Sequence, residues 1–110
     1  YIHDYRDSGM EGAPANDHPD AFIKAPSEDV ILSLVELIRK HRPEVVITFE
    51  PNCGYGHPDH IAIHRYARQA FFSASDPEAY PHSGAVWEAS RLYYTAIPRT
   101  FFDQMRQHMV

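Results

Sequence analysis

Sulfur chemistry is almost missing from this chain. Cys53 stands alone, so no internal disulfide can form and a reducing compartment, the cytoplasm, is expected. Long hydrophobic runs are missing too. The longest fall far below the roughly 20 apolar residues a membrane-crossing helix needs, so no membrane span is expected. Positive charge is in deficit, with 10 Lys and Arg against 15 Asp and Glu and a formal net charge of −5. The acids are scattered and no basic face is visible, which argues against a nucleic-acid partner. Internal repeats and low-complexity tracts are absent. With 44% hydrophobic, 13% aromatic and 23% charged residues, the composition excludes disorder, collagen and coiled coils and fits a globular fold. A length of 110 residues leaves room for one domain with a single modest core. The chain opens on Tyr1 in mid-pattern, so residues 1–110 are expected to be a partial domain, a piece of something longer.

What is present alternates between loop, helix and strand. Residues 1–26 are rich in Gly, Pro, Asn and Asp and carry no helical period, which predicts a long loop of the kind that is usually functional inside a compact domain. Pro26-Ser27-Glu28-Asp29 predicts a helix start, with Ser27 as cap and two acids at the positive end of the helix dipole. Val30, Ile31, Leu34, Val35, Leu37 and Ile38 follow helical spacing, and Pro43 closes the segment after a basic last turn. Glu44 to Phe49 predicts a strand; its unbroken Val45-Val46-Ile47 run suits a parallel strand covered on both faces. A loop over 50–56 leads to a second helix, with Pro58 at its first position and an end near residue 72. A loop over 73–90, a strand from Arg91 to Ala96 and a helix from Pro98 to Met109 complete the chain. Helix followed by buried strand is the repeat of an α/β sheet.

The chemistry gathers just after the first strand. In open α/β sheets ligands bind at the C-terminal ends of the strands, and His57-Pro58-Asp59-His60 falls there. His60 and His64 are four apart on one helix face, a spacing that can place two imidazoles on one metal. Asp59 could orient a neighbouring histidine. Gly54 and Gly56 let the backbone approach a ligand, and Tyr55 between them can offer its phenol to an oxyanion or can be a plain loop aromatic. For His64, packing or a supporting contact is favoured over direct ligation.

Three segments resemble the LmbE/PIG-L-type de-N-acetylase superfamily, especially the branch containing mycothiol-pathway deacetylases and amidases. They are Tyr5-Arg6-Asp7-Ser8-Gly9-Met10 with Gly12, Pro14 and Asn16; the stretch Arg42 to Phe49; and Gly54-Tyr55-Gly56-His57-Pro58-Asp59-His60 running on to Arg65. Tyr93-Tyr94-Thr95 with Pro98 is similar to a late strand of the family. The resemblance implies a Rossmann-like, mostly parallel sheet flanked by helices, and a mononuclear Zn2+ site that hydrolyses the N-acetyl amide of an N-acetylglucosamine-type sugar or a related conjugate. It implies His60 as a zinc ligand and His57 as the group that stabilises the oxyanion and helps protonate the leaving amine. Asp59 would orient or charge His57, and Tyr55 would polarise the substrate carbonyl. Asp7 would bind sugar hydroxyls, with Arg6 and Met10 nearby. The family's other two ligands and its general base come from a His-Pro-Asp-Asp motif that is missing here. His18-Pro19-Asp20-Ala21 is superficially similar, but no hydrophobic strand precedes it and Ala21 replaces the second Asp, so His18 and Asp20 are expected to be solvated loop residues. Two other functions compete: a metal-dependent esterase or phosphatase-like hydrolase, and a metal-free sugar- or polyol-binding module. Oligomeric state is not readable from the chain.

Overall fold

The computed structural model describes residues 3–51, 57–96 and 104. The terminal helix predicted from Pro98 to Met109, apart from Gln104, and Tyr55 with its flanking glycines lie outside the described residues.

The first helix, α1, runs Ser27–His41. Ser27 does not cap it. Pro26 occupies the cap position and Ser27 is already helical, with no side-chain cap bond, because the proline's fixed φ turns the chain into the helix unaided. Glu28 and Asp29 sit in the first turn, and Arg39, Lys40 and His41 in the last, as the helix dipole favours. Arg42 then turns left-handed, with φ of 51°. A residue before proline is pushed out of the α region, and the Arg42 guanidinium lies 4.6 Å from the Trp87 ring centroid.

Strand β1, Val45–Phe49, is followed by helix α2, Pro58–Ala74, and strand β2, Arg91–Thr95. The strands pair in parallel from Val45 opposite Arg91 to Phe49 opposite Thr95, so β1–α2–β2 is a parallel crossover unit. Helix α2 outlasts its predicted end by two residues, and β2 stops one residue before Ala96. Among the described residues no helix is long and apolar enough to cross a membrane.

The core is a seam between the two helices. Ile31, Val35 and Ile38 of α1 bury against Ala70 and Ala74 of α2, with Leu34, Tyr66, Tyr80 and Trp87 around the edge. The alanines let the helices approach closely. Each large aliphatic side chain so buried contributes about 1.5–3 kcal/mol of transfer free energy. Coverage of β1 on both faces does not hold among the described residues. Alternate strand residues point to opposite faces; Thr48 is buried, while Val45 is 42%, Ile47 67% and Phe49 37% exposed. Among the described residues, helices cover one face only.

A buried arginine closes the far end of α2. The Arg39 side chain donates to the carbonyls of Ser73, Ala74, Asp76, Ala79 and Tyr80 at 2.6–3.1 Å. These are the carbonyls that a helix end and its following turn leave without helical partners. The loop preceding α1 is also built rather than loose. Arg6 bridges Ala21, short 3-10 turns form at Pro14–Asp17 and Phe22–Lys24, and Phe22 joins Tyr5 to Tyr66 of α2 by edge-on ring contacts at 5.3 and 5.9 Å.

Candidate functional site at the N-terminus of α2

His57 caps α2 with its own ring. His57 Nδ1 accepts the Asp59 backbone N–H at 3.2 Å, and Pro58 follows at the first helical position, where its missing N–H costs no hydrogen bond. A nitrogen that accepts carries no proton, so a neutral ring holds its hydrogen on Nε2. Nε2 stands 3.8 Å from Asp7 Oδ1. The His57 side chain is 14% exposed and that of Asp7 79%, so the pair lies at the rim of the helix end.

Asp7 reaches this position through an Asx turn. Its Oδ1 accepts the Gly9 N–H at 2.7 Å, and that bond holds its pKa below the usual carboxylate value; partial burial opposes this, and His57, Asp59 and His60 add to the lowering. The next residue, Ser8, is fully buried. Its N–H donates to Asp59 Oδ2 at 2.9 Å, and its hydroxyl accepts the Ile23 N–H at 3.0 Å. The other Asp59 oxygen, Oδ1, is buried with no hydrogen-bond partner among the described residues. Asp59 thus touches His57 through its amide, while its carboxylate receives the loop.

His60 lies one turn further along. Its ring stacks on Phe49 with centroids 4.0 Å apart and planes 4° apart, and on His57 at 4.7 Å. Burial lowers its pKa, and the charge His57 can carry lowers it further, while Asp59 and Asp7 pull it back. A depressed pKa favours neutral imidazole, the form that donates a lone pair to a metal. His64 is buried. Its Nδ1 is 2.7 Å from the Phe49 carbonyl, and its ring meets Tyr94 edge-on at 4.6 Å. It therefore ties α2 to both strands.

The structure brings Asp7, His57, Asp59 and His60 together. Asp7, His57 and Asp59 each offer a ligand atom within 4.8 Å of the others, a set with the geometry to hold a cation. Arg6 contributes backbone bonds, donating to Asp20 O and accepting from Phe22 N–H. Met10 is 45% exposed on the turn beside Asp7. His18 accepts the Asp20 N–H within its own loop. Sequence reasoning passed over Ser8, Phe49 and the packing role of Arg39. Nothing in a lone serine or strand-end phenylalanine marks it before the loop is folded onto the helix.

The comparisons with known proteins bear on this arrangement. A family model described as PIG-L, GlcNAc-PI de-N-acetylase, matches residues 1–71, which include every side chain just placed except Tyr94. The chain belongs to the PIG-L family. A relative from Catenulispora acidiphila, named 1D-myo-inositol 2-acetamido-2-deoxy-alpha-D-glucopyranoside deacetylase 1, is 49% identical over 87% of this chain and 30% of its own length. A deacetylase of the same substrate name from Geodermatophilus obscurus is 46% identical over 91% of the chain and 34% of its own length. Another, from Thermomonospora curvata, is 48% identical over 87% and 32%. The chain thus spans about a third of the length of the curated relatives it matches. Within the PIG-L family, its two-stranded parallel sheet with flanking helices is part of an α/β domain.

Proposed function

We propose that this chain supplies the histidine-bearing part of a metal-dependent de-N-acetylase that hydrolyses the acetamide of an N-acetylglucosamine conjugate such as a glucosaminyl-inositol. One observation carries the proposal: His57, Asp59 and His60 converge with Asp7 of a distant loop at the strand-end mouth of a parallel crossover. Relatives 46–49% identical over most of the chain are named for that acetamide.

The donor set fits a zinc ion in part. His60, whose pKa burial lowers, would hold it; Asp7 Oδ1, His57 Nδ1 and Asp59 Oδ2 already accept the Gly9, Asp59 and Ser8 amides, and the remaining atoms of these side chains would form the surrounding polar shell. The remaining ligands and the general base would come from outside residues 1–110, the expected partial domain. Zinc, when bound, would polarise the acetamide carbonyl and make water a nucleophile near neutral pH. The residues of this chain would act on the substrate beside it. His57 presents Nε2–H toward the rim, where it can donate to the oxygen that gains charge as the carbonyl becomes tetrahedral. The same ring would also help protonate the leaving amine. Asp7, on the exposed side, accepts hydrogen bonds from sugar hydroxyls, with Met10 beside it. Tyr55 is assigned to the carbonyl by the family motif alone. A reducing, cytoplasmic setting suits a small amino-sugar substrate.

In the whole protein, His57→Ala is expected to lower turnover about 10²- to 10³-fold with bound zinc retained, and His60→Ala to lose zinc, measured by metal analysis beside steady-state kinetics. Wild-type activity in both variants would sink the proposal. Parallel assays on amide, ester and phosphate substrates separate it from other metal hydrolases.

A further inference from the structure

Resting on that function, we infer that Asn16 is a positioning residue for the site. Its carboxamide shapes the turn from Ser8 to Gly12 so that the Ser8 N–H meets the Asp59 carboxylate and Asp7 faces His57.

Both ends of the amide are used. Asn16 Oδ1 accepts the Gly12 N–H at 2.9 Å. Asn16 Nδ2 donates to the Ser8 carbonyl and to the Met10 carbonyl at 3.1 Å, with the Gly9 carbonyl at 3.4 Å. A nitrogen among carbonyls and an oxygen on an N–H leave only one sensible orientation of the amide. The turn needs such a group. Gly9 and Gly12 both have positive φ, 75° and 84°, and the carbonyls of Ser8, Gly9 and Met10 converge on one point. Oxygens that converge repel one another unless a donor sits between them. Asn16 is itself held in place, since it lies in the Pro14–Asp17 3-10 turn and its N–H donates to Ala13 O at 3.0 Å.

The route from Asn16 to the chemistry is short. Asn16 holds the carbonyl of Ser8, whose N–H holds Asp59 Oδ2. The Asp59 amide in turn holds His57 Nδ1. Asp7 precedes Ser8, so its Asx turn moves with the same backbone. Asn16 touches neither His57 nor His60 directly, and its effect reaches them through the turn.

The test uses Asn16→Asp and Asn16→Ala in the whole protein. Aspartate keeps the size and the acceptor but puts a carboxylate oxygen against the carbonyls; alanine removes all the carboxamide's bonds. Thermal melts establish that each variant folds. Against an N-acetylglucosaminyl-inositol substrate, both variants are expected to lose roughly ten- to hundredfold in kcat. KM is expected to rise, since Asp7 is displaced together with Ser8, while bound zinc stays at the wild-type level. Hydrogen exchange at the Ser8 amide is expected to speed up. A folded variant with wild-type kcat, KM and Ser8 exchange overturns the inference. So does a loss of activity that only follows the folded fraction with KM unchanged, the mark of a purely structural role. A wild-type protein without de-N-acetylase activity would refute the parent function instead. Ser8 exchange would still decide whether Asn16 holds the turn: faster exchange in the variants supports it, unchanged exchange overturns it.

Discussion

The two ends of α2 are secured by different forces, and the contrast separates stability from chemistry. At the C-terminal end, Ala70 and Ala74 pack on Ile31, Val35 and Ile38, and one buried guanidinium gathers five carbonyls. At the N-terminal end the loop meets the helix through the Ser8 N–H on the Asp59 carboxylate, and His57 caps the helix by accepting the Asp59 amide, at half-buried polar groups. The first end is built so that no single contact outside Arg39 matters greatly. The second is built from contacts that each set the direction of a group assigned to the proposed chemistry. A fold can lose a little free energy at the second end and lose most of its chemistry.

Substitutions at three positions test that division. The largest effect is expected from Arg39→Ala in the whole protein. It removes five bonds from a buried charged donor, although the Ser73, Ala74, Asp76 and Tyr80 carbonyls each keep a backbone N–H, so a loss of roughly 3 kcal/mol should appear in urea unfolding. KM and kcat per folded molecule should stay unchanged. Arg39→Lys should recover only part of the loss, because an ammonium cannot match the planar fork. A change in KM of the folded protein would break the contrast.

Next comes Gly9→Ala. At φ of 75°, a Cβ there would lie 3.0 Å from the Ala13 Cβ. The stability cost is expected to be only about 1–2 kcal/mol, with a disproportionate fall in kcat/KM as Asp7 and Ser8 shift. Equal losses in stability and activity would count against the distinction.

The smallest effect concerns Tyr80, whose hydroxyl donates to Glu28 Oε2 at 3.0 Å. Burial, then Glu28, raises its pKa above the usual phenol value. A raised pKa means that this stabilisation is complete below the unfolded value, about 10, and is lost as pH rises through the folded one. Melting temperature should fall slightly in that alkaline window in the parent protein and not in Tyr80→Phe. The solvent-facing position keeps the effect modest.

Much of the scaffold was legible without coordinates. The period of α1 from Val30 to Ile38, the β-branched run of β1, Pro58 at the start of α2 and the strand at Arg91 all formed close to where they were expected. The histidine cluster was legible because short spacing on a helix start places His57, Asp59 and His60 together whatever surrounds them. Ser27 as a cap failed because Pro26 imposes the same turn through its ring. Coverage of both faces of β1 failed among the described residues because a β-branched run reports strand preference, not which neighbours will pack on it.

Local spacing and covalent restraint thus determined by themselves where the helices and strands start and which histidines share a helix end. Only the tertiary structure decided that Asp7 faces His57, that Ser8 grips Asp59, that Phe49 lies flat on His60 and that Arg39 closes the far end of α2. Those contacts join residues 34 to 51 positions apart, apart from the Phe49–His60 stack, which spans 11. Periodicity and capping act over a few residues, whereas closing such loops depends on the whole chain folding onto one core.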